Sequence, residues 1–239
     1  MIAVSVVSHG QIEMIFELLR LLESSKSVQR IFVTLNSPKE FDKLTEICEF
    51  KKTTFFLNLK ESSFAANHNF AAVQCRENLL CIINPDVGID ISTFELFVER
   101  CAKSQCFSVY APLLVSFEGA LQDCWRKWPL PGDLLGRWFL GRRSIHFSEP
   151  DWASGALLIV NRNIFLENGG FDSSYRMYCE DVDLFYRYRR AGLMCKFDNE
   201  VSFAHTGNHQ SHRNLRYFFW HLRSLVIFNF KYFRDYLLK

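Results

Sequence analysis

From residue 2 to residue 114 short apolar runs alternate with stretches of helical period, and this alternation narrows the accessible folds more than any other feature. Ile2-Ala-Val-Ser-Val-Val7 is short, apolar and β-branched, as a buried strand requires. A stretch over 11–24 follows, with Ile12, Ile15, Leu18, Leu19 and Leu22 at helical spacing. The pattern repeats with strand-like residues 30–35, a helix over 39–49 and a strand over 53–57. It continues with a small-residue helix start at 62–72, a strand at 79–83, a helix at 91–103 and a strand at 107–114. Strands alternating with helices predict an α/β fold, a mostly parallel central sheet flanked by helices. In such sheets ligands sit beyond the carboxyl ends of the strands. Ser8-His-Gly10, Asn36-Ser37 and Asn84-Pro-Asp86 all fall at such ends.

The alternation breaks over 117–150, the longest irregular stretch. It resumes with Leu157-Leu-Ile-Val160, which follows the small-residue turn Asp151-Trp-Ala-Ser-Gly-Ala156. Next comes Gly169-Gly-Phe-Asp-Ser-Ser-Tyr-Arg-Met-Tyr-Cys-Glu-Asp-Val-Asp183, running into a helical pattern through Arg190. The paired glycines mark a turn. Glu180, Asp181 and Asp183 then sit in a first helical turn, where the helix dipole favours negative charge. Acids at a helix start need no chemistry. Here they are wedged among Tyr175, Tyr178, Phe185 and Tyr186, and a part-buried carboxylate serves well as a general base.

Taken in order, these strings resemble the family 2 glycosyltransferases, and more narrowly the bacterial rhamnosyltransferases that build surface polysaccharides. The resemblance spans nearly the whole chain. It rests on Val6-Val-Ser-His-Gly10, Asn84-Pro-Asp-Val87, Trp152 through Arg162, the Gly-Gly-Phe-Asp … Glu-Asp-Val-Asp string and Phe203-Ala-His205. It implies a GT-A fold over residues 1–212, with a nucleotide-binding half at 1–90 and an acceptor half at 91–212. Residues 213–239 follow as a C-terminal amphipathic segment. It also implies an inverting transfer of L-rhamnose from dTDP-L-rhamnose to N-acetylglucosamine on polyprenyl diphosphate.

Residue by residue, the resemblance gives Asp181 the role of base, with Glu180 and Asp183 orienting the acceptor and the helix start. Asp86 stands where relatives carry the second acid of a metal motif, and His205 where a histidine completes the shell around Mg²⁺ or Mn²⁺. Donor contacts fall to Ser8, His9, Asn36, Asn67, Asn69, Asn84 and Gly155. Three departures stand out. Gly10 and Asn84 replace commoner residues, and Leu35-Asn36 replaces the Asp-Asn pair that meets the base in many relatives, which leaves the base contact open.

Trp125, Arg126, Arg142 and Arg143 interleave aromatic rings with charge in the irregular stretch. Such a pattern suits nucleic acid in general. A net charge of +2 argues against a general nucleic-acid binder, and the resemblance directs these residues, with Tyr178, to the acceptor. A lid packed over the core is the plain alternative. The eight cysteines include no Cys-x-x-Cys pair, and the start lacks a secretory leader, so reduced thiols in the cytoplasm are expected. No run approaches the roughly 20 apolar residues of a membrane span. The segment from Asn214 carries a broad apolar face and Arg216, Arg223, Lys231 and Arg234, which fits the inner face of the plasma membrane. Packing on the core or in a homodimer is the other reading of that face. Two other functions compete with transfer: non-catalytic binding of a sugar nucleotide or glycan, and metal-dependent phosphoester cleavage.

Overall fold

A computed structural model describes residues 1–41, 50–104, 106–132, 149–207 and 215–237. The alternation folds as expected. Strand β1 (Ile2–Ser8) lies between β2 (Val28–Leu35) and β4 (Leu79–Ile83), and β3 (Thr53–Leu57) extends the far edge of β2, all parallel. These four strands form one half of an eight-stranded sheet of order β3-β2-β1-β4-β9-β6-β10-β5. The other half holds β6 (Val109–Val115), β9 (Leu157–Asn161), β10 (Cys195–His205) and the short β5 (Val87–Gly88). Strand β9 runs antiparallel to both β4 and β6, and β5 runs antiparallel to β10.

The helices follow from their own sequences. α1 (Ile12–Ser24) buries the five apolar residues its spacing singled out. α2 (Phe64–Gln74) starts at Ser63, whose Oγ accepts the Ala66 N–H at 3.2 Å, and buries Ala65, Ala71 and Ala72 against the sheet. α3 (Ile91–Lys103) is capped in the same way by Asp90 on Thr93 N–H, at 2.9 Å. A short α4 (Arg162–Glu167) leads through the paired glycines to α5 (Glu180–Arg190), which carries the acids.

Two expectations are refined. Residues 195–198 and 201–205 read as separate pieces, yet they form the single strand β10 with a register shift between Asp198 and Ser202. Buried Asp198 sits at that shift, held by Arg100 (2.6 Å) and Tyr110 Oη (2.7 Å). Both described ends of the irregular stretch are pinned, because β7 (Trp125–Arg126) pairs antiparallel with β8 (Trp152–Ala153). Its centre, with Arg142 and Arg143, lies outside the described residues, as does most of the helix expected over 39–49.

The C-terminal segment is one helix, α6 (Leu215–Leu237), packed onto the body of the protein. Phe228 is fully buried against Trp128, Tyr186 and Tyr232. Ser224 Oγ donates to the Met177 carbonyl at 2.9 Å, and Asn229 Nδ2 to the Pro129 carbonyl at 3.1 Å. Among the described residues no helix is long and apolar enough to cross a membrane.

Candidate active site

The carboxyl ends of β4 and β10 bring together two side chains 119 positions apart. Antiparallel pairing of β5 with β10 sets His205 opposite Val87, so His205 Nε2 lies 3.5 Å from Asp86 Oδ1. Gln122 decides the tautomer. Its Nε2 donates to the His205 carbonyl at 2.6 Å, which turns Oε1 toward His205 Nδ1 at 2.9 Å. An amide oxygen only accepts, so Nδ1 carries the proton, and in the neutral imidazole Nε2 presents a lone pair to the carboxylate. Two acceptors facing each other at this distance suit a cation between them. One carboxylate and one imidazole leave room for substrate oxygens, which is how Mg²⁺ and Mn²⁺ are usually held. Among the described residues no cluster of three or more His, Cys, Asp or Glu side chains is placed to hold a metal. Gln122→Ala is expected to weaken Mn²⁺ binding about 10- to 100-fold by calorimetry, with the fold unchanged.

Two hydrogen bonds, joined through the backbone, link the segment of this pair to the acids. Asn84 N–H, two residues before Asp86, donates to the Ala156 carbonyl at 2.8 Å. Its neighbour Gly155 donates its N–H to Asp181 Oδ2 at 2.9 Å, while Val182 N–H serves Oδ1 at 2.8 Å. A Cβ on Gly155 would lie 3.4 Å from Asp181 Cβ, an ordinary van der Waals contact, so the turn packs directly on the acid. The backbone before α5 is strained to deliver this geometry. Tyr178 and Cys179 take φ of 69° and 64°, a left-handed conformation that costs a non-glycine residue about 1 kcal/mol or more.

Burial raises the pKa of both Glu180 and Asp181. Glu180 is pushed up to about 8, with the Asp181 charge adding to burial. On Asp181 the rise is opposed by the N–H groups of Gly155 and Val182 and by the Arg126 charge. Glu180 Oε2 is buried without a partner among the described residues. Because the folded state holds the Glu180 proton more tightly than the unfolded chain, its contribution to stability is full below pH 4.5. That contribution is lost as pH rises through about 8. Glu180→Gln is expected to flatten a decline of up to about 1.4 kcal/mol per pH unit in urea-unfolding free energy over that window.

The third acid has a different role from the one expected. Asp183 is fully buried and its oxygens are engaged by Tyr175 Oη (3.2 Å), Arg187 Nε (2.6 Å) and Lys231 Nζ (2.9 Å). Arg187 also donates to the carbonyls of Asn168 and Gly170, and Lys231 bonds Asp172. Asp183 therefore ties α5 to α6 and to the glycine turn, and both of its oxygens are spent on these ties. Asn69 is likewise a strut. Its amide is spent on Phe171, accepting from N–H and donating to the carbonyl, each at 2.8 Å. Gly170 packs on that amide at φ 64°, and a Cβ there would come within 2.4 Å of Asn69 Oδ1. Gly170→Ala is expected to cost at least about 1 kcal/mol, read as a lower urea midpoint.

At the ends of β1 and β2 the remaining candidates form one polar cluster. Buried Ser8 donates to Glu40. Asn36 Nδ2 contacts His9 Nδ1 at 3.0 Å, and its Oδ1 accepts from Asn58 Nδ2 (2.7 Å) and Ser62 N–H (2.9 Å). Asn58 also bonds Asn67 Oδ1 at 2.8 Å. Two buried atoms of the cluster, Glu40 Oε2 and Asn67 Nδ2, have no partner among the described residues, so an acceptor and a donor remain for a ligand. Glu40, Asn58 and Gln122 escaped the sequence reading. Each is a lone polar residue outside any motif, indistinguishable from a solvated one until the chain is folded.

On the acceptor side, Trp125 is a core residue and not a contact surface. It is buried, packs on Phe197 and donates its indole N–H to the Pro112 carbonyl at 3.0 Å. Arg126 is part exposed, held by Asp123 and lying over the Trp152 ring. Tyr178 packs its ring against His221 of α6.

No family model matches the chain. It is 27% identical to the rhamnosyltransferase WbbL of Escherichia coli K12, over 94% of this chain and 90% of that protein. It is 37% identical to an N-acetylglucosaminyl-diphospho-decaprenol L-rhamnosyltransferase of Mycobacterium tuberculosis, over 58% of this chain and 50% of that enzyme. Solved structures share the fold at low identity. GalNAc-T7 with UDP, GalNAc and Mn²⁺ superposes with a TM-score of 0.62 at 12% identity, covering 85% of this chain and 42% of that one. The mannosyltransferase PcManGT of Pyrobaculum calidifontis, with GDP-Man and Mn²⁺, gives 0.60 at 13% identity, covering 87% and 57%. The chain thus spans about half the length of these structures and of the mycobacterial enzyme. With the mixed sheet, the acids at the start of α5 and these relatives in view, the chain has a GT-A fold and is similar in sequence to rhamnosyltransferases.

Proposed function

We propose that the chain moves L-rhamnose from dTDP-L-rhamnose onto N-acetylglucosamine carried by polyprenyl diphosphate, with inversion at the anomeric carbon. The observation that carries this reading is the path from Asp86 through Asn84, Ala156 and Gly155 to Asp181. It links the segment carrying an oxygen-and-imidazole pair suited to a divalent ion to the turn that holds a buried carboxylate. The names of the relatives supply the sugar and the lipid-linked acceptor.

Asp86 and His205 would hold Mg²⁺ or Mn²⁺, which supplies positive charge for the departing nucleoside diphosphate. The polar cluster around Asn36, Asn67 and Glu40 would receive the nucleoside. The acceptor hydroxyl oxygen bonds the anomeric carbon as the bond from that carbon to the diphosphate oxygen breaks. Its proton passes to Asp181, whose raised pKa makes it a stronger base than an ordinary carboxylate. Glu180, Arg126 and Tyr178 would orient the acceptor, and the protein would work at the inner face of the plasma membrane.

The test is a transfer assay with a panel of sugar nucleotides and a short-chain lipid-diphosphate N-acetylglucosamine acceptor, with Mn²⁺ or Mg²⁺ and again with EDTA. Metal-dependent glycolipid and nucleoside diphosphate from dTDP-rhamnose alone are expected. Product from another donor would overturn the sugar assignment. Release of nucleoside monophosphate without glycolipid would overturn transfer itself.

A further inference from the structure

The C-terminal helix α6 has two apolar faces, and only one of them is accounted for. Leu225, Phe228 and Tyr232, with the polar ties of Ser224, Lys231 and Asp235, lie along one side and meet the body of the protein. At about 100° per residue the opposite side carries Phe219, Leu222, Val226, Phe230, Phe233 and Leu237. These six are between 44% and 80% exposed. That makes a long contiguous apolar stripe, the kind of surface that marks an interaction site.

We propose that this outer face of α6 docks on an anionic lipid bilayer. Three features select a bilayer over a second copy of the chain. The stripe advances 18 residues in five steps, 3.6 per step, so it runs straight along the helix as a flat surface requires. A left-handed coiled coil needs 3.5. Arg216, Arg223 and Arg234 line up along one flank of the stripe, roughly a quarter-turn away, where their stems cover apolar surface and their charges reach headgroups. Asp235, the one acid of the helix, is turned inward, bonded to Arg190 of α5 and shared with its neighbour Arg234. The outer face therefore carries no acid of its own, and Arg216 and Arg223 on its flank leave it net positive, which would repel its own copy and attract anionic lipid. The aromatic content, which includes Tyr217, Phe218, Trp220 and Tyr236, suits the boundary between headgroups and chains.

Docking would also orient the site. The inner face of α6 holds α5 through Lys231–Asp183 and Asp235–Arg190, so the bilayer plane fixes the height and tilt of the helix that begins with Glu180 and Asp181. The inference adds to the proposed transfer the surface on which a lipid-linked acceptor is met. Its test reads binding and not turnover, so the two can fail separately.

The experiment is sedimentation of the full chain with phosphatidylcholine vesicles, with and without phosphatidylglycerol, alongside light scattering for oligomeric state. The wild type is expected to sediment with the anionic vesicles, less so at high salt. The double variant Val226→Glu/Phe230→Glu, at exposed positions, is expected to keep the urea midpoint and lose at least about ten-fold in vesicle affinity. Arg216→Gln/Arg223→Gln/Arg234→Gln is expected to lose the preference for anionic lipid. Wild type that ignores both vesicle types would overturn the proposal, as would a glutamate variant that still binds. A dimer split by Val226→Glu/Phe230→Glu would overturn it in favour of a second copy.

Discussion

Asp181→Asn is expected to lower the turnover number by at least about 10²-fold and by as much as about 10⁴-fold, the range a positioned general base supplies. The amide matches the carboxylate in shape and can still accept the Gly155 N–H at one oxygen. It cannot take a proton at neutral pH. The loss should therefore fall on turnover, with donor affinity and the unfolding midpoint nearly unchanged, and a transfer assay paired with donor calorimetry would read both. Near-normal turnover in a folded Asp181→Asn protein would sink the assignment of the base. Attention would then pass to Glu180, whose carboxyl is also buried and raised in pKa.

Asp183→Ala is expected to act in the opposite way, costing roughly 3–5 kcal/mol of stability, the usual result of removing one partner from a buried ion pair. Asp183 is wholly buried, and its loss would leave Arg187 and Lys231 facing each other without the charge that joins them. The Tyr175 hydroxyl would lose its acceptor too. Urea unfolding would read the change as a lower midpoint with an unaltered slope. Hydrogen exchange should show α6 loosening first, because Lys231 is one of its few polar ties to the body. A shift under about 0.5 kcal/mol, ordinary for an exposed position, would mean that this hub does not hold the helix. The two substitutions lie two residues apart in one acidic string. One is expected to remove chemistry and the other structure.

That contrast marks how far the sequence could be read. The alternation of strand and helix was legible because both periods are local: α1 buries the face its spacing announced, α3 forms over the expected 91–103, and β4 delivers Asn84-Pro-Asp86 where a buried run ends. The acids at the start of α5 were legible for the same reason. Their separate roles were not. A carboxylate is defined by its neighbours, and those of Asp183 include Lys231, 48 positions away. Asn69 reads as a ligand contact beside small residues, yet its partner is Phe171, 102 positions on. Trp125 reads as a binding aromatic in a charged stretch, yet the Pro112 carbonyl and Phe197 claim it for the core.

The C-terminal helix divides along the same line. Its apolar and basic residues were evident, and so were two occupants for the apolar face, membrane or protein. The sequence could not show that both faces exist, because a helix apolar on two sides yields a broad pattern with no internal boundary. The sequence by itself determined the α/β alternation, the strand ends where a ligand belongs, the acidic helix start and the glycine turn before it. Only the tertiary structure decided that Gln122 sets the tautomer of His205 toward Asp86 and that Gly155 holds Asp181. It alone turned Asp183 inward. Periodicity is written along the chain, whereas desolvation, proton placement and ion pairing depend on distances that only folding creates.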